Sequence, residues 1–88
     1  MTARSVTIVN QLGMHARAAA KFVHVAARFQ ARVVVSKQER EMDGKSIMGL
    51  LLLAAAQGTV VTIAADGPDE QDAVDALVQL VNSGFGEN

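Results

Sequence analysis

The sequence predicts an α+β fold in which one antiparallel sheet carries its helices on a single face. Segments with an apolar period of two, typical of half-buried strands, alternate with segments whose apolar residues recur every three or four positions, typical of amphipathic helices. Their order along the chain is β-α-β-β-α-β-α. So small a domain stacks its helices on one face of the sheet and leaves the other face to water, which favours antiparallel pairing.

Composition limits the class of protein. With 88 residues, half of them hydrophobic, we expect one ordered domain over residues 1–88. The sequence has no cysteine, which excludes disulfides and thiolate metal sites and favours the cytoplasm. The longest apolar run, 47–56, is too short to insert across a membrane, and a net charge of −1 gives no bulk attraction to nucleic acid.

Four segments have strand character. The second is rich in valine and is predicted to be central, while the third is short and charged, which suits a sheet edge. The predicted strands span residues 4–9, 31–36, 40–42 and 59–65.

Three segments are predicted helices. The first begins at Ala16, the second spans 47 to about 55, and the third follows Asp69 and frays at 82–84. Ser46 and Asp69 are the expected N-caps of the second and third helices, because their side-chain oxygens can accept from the unpaired N–H groups of a first turn.

The link between the first strand and the first helix, residues 12–20, is the first place where chemistry is expected. Gly13 supplies a turn, and His15 and Arg17 then stand at a helix N-terminus. Such a terminus attracts phosphate and disfavours a cationic imidazole, and a neutral imidazole has a lone pair that can act as a nucleophile. The planar guanidinium of Arg17 suits phosphoryl oxygens. The alternative is a capping histidine beside an ordinary solvated arginine.

Metal binding by His15 together with His24 is excluded by helix geometry. Nine residues turn a helix by about half a circle relative to its whole turns, so the two side chains leave opposite faces. We therefore expect no metal site and no cofactor, and we interpret His24 as an exposed helix residue.

Ser46 and the apolar residues after it form a second candidate region. A phosphate on Ser46 would lie at a helix N-terminus, where its charge is tolerated, so modification need not unfold the domain; a plain N-cap is the alternative. The following helix has more apolar residues than one buried face requires, and exposed apolar patches usually mark partner surfaces. The residues concerned, some of which belong to the core, are Ile47, Met48, Leu50, Leu51 and Leu52.

Together these features resemble the HPr family, the histidine-containing phosphocarriers of the bacterial phosphoenolpyruvate:sugar phosphotransferase system. The resemblance covers the whole chain and implies an open-faced β-sandwich of four antiparallel strands and three helices. The motifs that carry it are Gly-Met-His-Ala-Arg at 13–17, Lys-Ser-Ile-Met-Gly at 45–49, and Gly-Thr-Val-Val-Thr-Ile at 58–63 followed by Asp-Glu-Gln-Asp-Ala-Val at 69–74.

The resemblance implies a monomeric phosphoryl carrier and not an enzyme. A phosphoryl group would pass from Enzyme I to Nδ1 of His15, the pros position, and then to IIA components of sugar transporters, with Arg17 beside it. The resemblance also implies regulatory phosphorylation of Ser46 by a kinase, reversed by a phosphorylase, in carbon catabolite regulation. The residues that match the family's docking patch are Ile47, Met48 and Leu51.

One position departs from the family pattern. Most members have proline where this chain has Ala18. Proline favours the first helical turn, and alanine is also an excellent helix former, so we expect the helix start to survive with a slightly looser entry.

Two alternative functions stay open. One is an HPr paralogue of a nitrogen-related or regulatory branch, although the 45–49 motif favours the carbon branch. The other is an unrelated small α/β module that binds a ligand or RNA, and the near-zero net charge argues against RNA.

Overall fold

Four strands form one antiparallel sheet in the computed structural model, which describes residues 1–87. The order of elements and the α+β class are those that the sequence predicted. Within residues 1–87, no helix has the length and apolar character needed to cross a membrane. The elements are β1 (Thr2–Thr7), α1 (Ala16–Ala26), β2 (Arg32–Lys37), β3 (Arg40–Asp43), α2 (Ile47–Leu53), β4 (Val60–Asp66) and α3 (Glu70–Asn82), followed by a 3₁₀ turn at Gly84–Gly86.

The strand order in the sheet is β1-β4-β2-β3, and every neighbouring pair is antiparallel. The central position of β2 and the edge position of β3 are as predicted. The first strand lies two residues earlier than expected, because its pairing with β4 begins at Thr2 opposite Ala65.

Strand alternation sends one set of side chains towards the helices and the other towards solvent. On the open face, the hydroxyls of Ser5 and Thr62 lie 3.1 Å apart and form a hydrogen bond. The helices cover the other face, which makes the sheet an open-faced sandwich. The largest fully buried side chains are Phe22, Phe85, Ile8, Leu50, Leu53, Ile63, Leu77, Val33, Val35, Val61, Val74 and Val81.

The two predicted N-caps behave differently. The Ser46 hydroxyl accepts from the backbone N–H of Gly49 at 3.0 Å, which confirms it as the cap of α2. Asp69 occupies the N-cap position of α3 but makes no capping bond with its side chain. Its carboxylate accepts instead from the backbone N–H groups of Gln30 and Ala31, each at 2.8 Å. The capping prediction for Asp69 is wrong because two donors in the turn before β2 hold its side chain.

The chain after α3 also differs from the expectation of a fraying end. We call residues 83–87 the tail turn. Gly84, Phe85 and Gly86 have φ values of 66°, 57° and 73°, so three successive residues lie in the left-handed region. Phe85 is buried, and the N–H of Glu87 donates to the carbonyl of Gly84 at 3.0 Å. The tail turn thereby brings Glu87 back to the start of α1.

Candidate functional site

The loop that leads from β1 to α1 is fixed against the segment that follows α2. The N–H of Met14 donates to the carbonyl of Ala55 at 2.8 Å. Gly13 has a φ of +67°, and a Cβ at this position would lie 2.6 Å from the Ala55 carbonyl oxygen. Only glycine fits this close approach without displacing backbone. The loop therefore holds His15, two residues after Gly13, in a fixed position.

His15 occupies the N-cap of α1, and each ring nitrogen has a partner. Nδ1 accepts from the backbone N–H of Arg17 at 3.3 Å, a long hydrogen bond. Nε2 lies 2.5 Å from Oε2 of Glu87. The side chain is 26% exposed, so the ring is held by the protein and is still open to solvent.

Asn10 and Glu87 are site residues that the sequence interpretation missed. Asn10 is only 4% exposed, and its side-chain amide donates to the Gly13 carbonyl at 2.8 Å and to Oε1 of Glu87 at 2.9 Å. The Asn10 hydrogen bond, with smaller contributions from His15 and the charge of Lys21, holds the pKa of Glu87 below its usual value. Asn10 directly follows the first predicted strand, and nothing local in the sequence marks it as part of the site. The one sequence feature that could have drawn attention to Glu87 is the Gly-Phe-Gly stretch just before it, which is typical of a turn.

Arg17 is exposed at the mouth of the site. Its side chain lines a surface depression of about 390 Å³. Lys21 also lines it and donates from Nζ to the carbonyl of Phe85 at 2.6 Å, which ties the tail turn to α1. Two cationic side chains therefore line a depression that also includes Glu87, the partner of His15 Nε2. The lining residues are Gln11, Leu12, Arg17, Lys21, Gly86 and Glu87.

Ala18 is fully buried in the first turn of α1. The helix begins at Ala16, and the N–H of Ala19 donates to the His15 carbonyl at 2.8 Å. The expectation that the helix start survives without proline is confirmed.

His24 lies exposed on the same helix, away from this cluster. It lines an apolar groove with Val25, Arg28 and Leu80. Arg17 and Lys21 are the only residues that line both this groove and the depression that contains Glu87. Among residues 1–87, no group of three or more His, Cys, Asp or Glu side chains is arranged to hold a metal ion.

Ser46 lies at the end of α2 that is remote from His15. Lys45 donates from Nζ to the carbonyl of Phe29, just beyond the end of α1, at 2.7 Å. The other end of α2 leads to Ala55, which contacts the loop before α1. The two helices are therefore antiparallel, and Ser46 is separated from His15 by the length of a seven-residue helix, about 10 Å along its axis.

The apolar residues of α2 divide between core and surface. Leu50 and Leu53 are fully buried, whereas Leu51 is half-buried and packs against the core. The chain also exposes Leu12, at 69%, a residue that the sequence interpretation left out of the patch. The exposed apolar side chains of α2 are Ile47 at 43%, Met48 at 65% and Leu52 at 54%.

Comparison with known proteins identifies the family. The family described as the PTS HPr component phosphorylation site matches residues 2–83. The chain belongs to the PTS HPr family. It is 51% identical over 87 residues to the phosphocarrier protein HPr of Cupriavidus necator, covering 99% of this chain and 98% of that protein. The crystal structure of HPr-C-His from Thermoanaerobacter tengcongensis superposes with a TM-score of 0.96 at 43% identity, covering 100% of this chain and 99% of that one.

Membership in this family confirms the resemblance, the open-faced sandwich fold and the class of protein, which is a phosphocarrier and not an enzyme.

Two further relatives concern the functional branch and the oligomeric state. The phosphocarrier protein NPr of Shewanella violacea is 39% identical over 84 residues, covering 96% of this chain and 92% of that protein. The crystal structure of an HPr dimer from Thermoanaerobacter tengcongensis has a TM-score of 0.79 at 44% identity, covering 99% of this chain and 100% of that one. The carbon branch and the monomeric state stay predictions.

Proposed function

We propose that this family member is a cytoplasmic carrier that accepts a phosphoryl group from Enzyme I on Nδ1 of His15 and passes it to IIA components of sugar transporters. The observation that carries this proposal is the position of Nδ1. It faces the backbone N–H of Arg17 at the N-terminus of α1, in a ring that is partly open to solvent.

The geometry suits both states of the carrier. In the accepting step, a bond forms between Nδ1 and phosphorus while the bond from phosphorus to Enzyme I breaks. The Nδ1 lone pair then no longer accepts from the Arg17 N–H, which becomes available to a phosphoryl oxygen. The helix N-terminus and the exposed guanidinium of Arg17 stabilise the dianion. In the donating step, the Nδ1–P bond breaks and the phosphoryl group passes to the IIA acceptor.

The proposed docking surface lies on α2. Ile47 and Met48 are exposed, and Leu51 borders them as a half-buried side chain. Met suits a surface that must bind several partners, because its side chain adapts to different shapes. Enzyme I and the IIA components are the partners proposed for this surface.

Ser46 is the proposed regulatory site for a kinase and a phosphorylase. Its hydroxyl caps α2, so a phosphate there adds negative charge at a helix N-terminus without removing a core contact. The added charge would weaken docking through the adjacent Ile47.

The assignment is tested by incubating the protein with phosphoenolpyruvate and Enzyme I and measuring its intact mass. We expect one added phosphoryl group that is stable in alkali and lost in acid. His15→Gln should carry no label, whereas the control His24→Gln should be labelled like the wild type. Persistence of the label in His15→Gln would contradict the assignment.

A second candidate is a carrier of a nitrogen-related branch, because a protein named NPr is also similar to this chain, at 39% identity against 51% for the HPr of Cupriavidus necator. Transfer from the phosphorylated protein to a sugar-type IIA and to a nitrogen-type IIA separates the two. The carbon branch predicts faster transfer to the sugar-type acceptor. Light scattering during the same experiments should give the mass of a monomer.

A further inference from the structure

We infer that Glu87 is a positioning residue that fixes the ring proton of His15 on Nε2 and so leaves Nδ1 as the phosphoryl acceptor. This inference rests on the proposed function, since it explains which ring nitrogen reacts. The contact that carries it is the 2.5 Å approach of Glu87 Oε2 to His15 Nε2.

The two partners of the imidazole select one tautomer. The backbone N–H of Arg17 is a donor, so Nδ1 facing it must offer a lone pair. An ionised carboxylate is an acceptor only, so Nε2 facing Glu87 must carry the proton. A proton on Nδ1 would oppose the Arg17 N–H and leave the Nε2 lone pair against the carboxylate. The tautomer that both contacts require is the one whose lone pair lies at the helix N-terminus.

Glu87 is held in this position by several independent contacts. Its Oε1 accepts from the buried amide of Asn10, and its own N–H donates to the Gly84 carbonyl. Three successive left-handed residues fold the tail turn, and Lys21 ties it to α1. A non-glycine residue in the left-handed region, as Phe85 is, is energetically unfavourable, so the chain maintains an unfavourable conformation that places this carboxylate.

The same contact favours the accepting step. As the Nδ1–P bond forms, the ring gains positive charge while its proton stays on Nε2. The Glu87 carboxylate faces that proton and stabilises the developing charge. No proton transfer is needed, because the carboxylate remains ionised throughout.

Glutamine cannot replace this carboxylate. Glu87 accepts from two donors, the Asn10 amide through Oε1 and the His15 ring through Oε2. A glutamine has one oxygen, so its NH₂ group must oppose either Asn10 or His15. Glu87→Gln therefore loses one contact and Glu87→Ala loses both.

The first test measures the His15 tautomer in the unphosphorylated protein by ¹⁵N NMR of the ring nitrogens at a pH where the ring is neutral. We expect the proton on Nε2 in the wild type, a mixture of the two tautomers in Glu87→Ala, and a smaller change in Glu87→Gln. His24 serves as an internal control in each spectrum, and Glu41→Gln, an exposed carboxylate on β3, is the matched variant. An unchanged His15 tautomer in Glu87→Ala overturns the inference.

The second test measures transfer from phosphorylated Enzyme I. Loss of one charge-assisted hydrogen bond predicts that kcat/KM falls about tenfold in Glu87→Ala, mainly through kcat, since the α2 surface is intact. Wild-type rates in Glu87→Ala also overturn the inference. If the wild type accepts no phosphoryl group, the proposed function fails, and the NMR result still decides whether Glu87 sets the tautomer.

Discussion

Asp69 is bound to Ala31 across 38 residues of sequence, through a hydrogen bond of 2.8 Å from the Ala31 N–H to Oδ1. The other carboxylate oxygen accepts from the N–H of Gln30. One side chain at the start of α3 thus closes the turn between α1 and β2. These contacts, the Gln30 hydrogen bond first, hold the pKa of Asp69 below its usual value.

Asp69→Asn should lower the urea midpoint of unfolding. An asparagine has one oxygen for the two backbone donors, and its NH₂ group opposes the second. The matched control is Asp72→Asn in the same helical turn, where the carboxylate is exposed and acts through the helix dipole alone, so its midpoint should change less. Equal midpoints for the two variants would contradict the role of Asp69 in closing the turn.

Glu70 predicts a pH dependence of stability. The Thr2 hydroxyl, with further hydrogen bonds from the Met1 amine and the Gly67 N–H, lowers the pKa of Glu70 from 4.5 to about 2. Because the folded pKa lies below the unfolded one, the contribution is fully present above pH 4.5 and is lost as the pH falls towards 2. Glu70→Gln should therefore be less stable than the wild type at neutral pH. The free energies of unfolding of the two proteins should converge as the pH falls towards 2.

Urea titrations at a series of pH values between these limits measure that convergence. Glu41→Gln, which removes an exposed carboxylate, provides the control, and its stability should follow the wild type in parallel. A constant gap between wild type and Glu70→Gln over the whole range would show that the lowered pKa is not the source of the stability.

The sequence predicted those features whose physical cause is local. An apolar period of two identified the first strand, and Ser46 caps a helix through a group three residues away. The position of His15 at the start of α1 could be predicted for the same reason, because the partner of its Nδ1 is the backbone N–H of Arg17, only two residues later in the sequence.

Contacts between distant residues could not be predicted in this way. Asp69 has the local pattern of a cap, but two donors 38 and 39 residues away hold its carboxylate. Glu87 contacts His15 although 72 residues separate them in the sequence. This contact requires Phe85 to adopt a left-handed conformation that its side chain disfavours, and the burial of Phe85 and the Lys21 hydrogen bond to its carbonyl hold that conformation. Periodicity contains no information about such a turn.

Gly13→Ala should destabilise the protein much more than Gly58→Ala. Both glycines have positive φ, +67° and +87°, so an alanine at either costs about 1 kcal/mol in backbone strain. A Cβ at Gly58 meets nothing within 4 Å, whereas one at Gly13 lies 2.6 Å from the Ala55 carbonyl oxygen. That clash with backbone adds about 1–3 kcal/mol.

Urea denaturation of the two variants measures the difference in the free energy of unfolding. Gly13→Ala should also accept phosphoryl groups more slowly, because the displaced loop carries His15, while Gly58→Ala should transfer at the wild-type rate. Similar stability losses at the two sites would argue against the close approach at Gly13.

Ala54→Gly should stabilise the protein. Ala54 ends α2 in the left-handed conformation, with φ 55° and ψ 45°, and its side chain is exposed. Glycine relieves about 1–2 kcal/mol of strain and costs about 0.5–1 kcal/mol in entropy, so the net gain is centred on roughly 0.7 kcal/mol, within a range of about 0–1.5 kcal/mol. Ala56→Gly is the matched control, because Ala56 has no positive φ and should lose stability. Thermal or urea unfolding checks both signs, and a loss in Ala54→Gly would contradict the argument.

Ser46 allows the capping role to be separated from the proposed regulatory role. Ser46→Ala removes the acceptor for the Gly49 N–H and should cost about 1 kcal/mol of stability. Ser46→Asp keeps a capping oxygen and adds part of the negative charge of a phosphoserine, so its stability should stay near that of the wild type.

The decisive measurement is phosphoryl transfer from Enzyme I at low and high salt. Ser46→Asp should transfer more slowly than Ser46→Ala, and salt should reduce the difference, since charge repulsion at an exposed surface is screened. If instead Ser46→Ala is the slower variant, the cap matters to transfer through the fold of α2, and charge at this position has no regulatory effect.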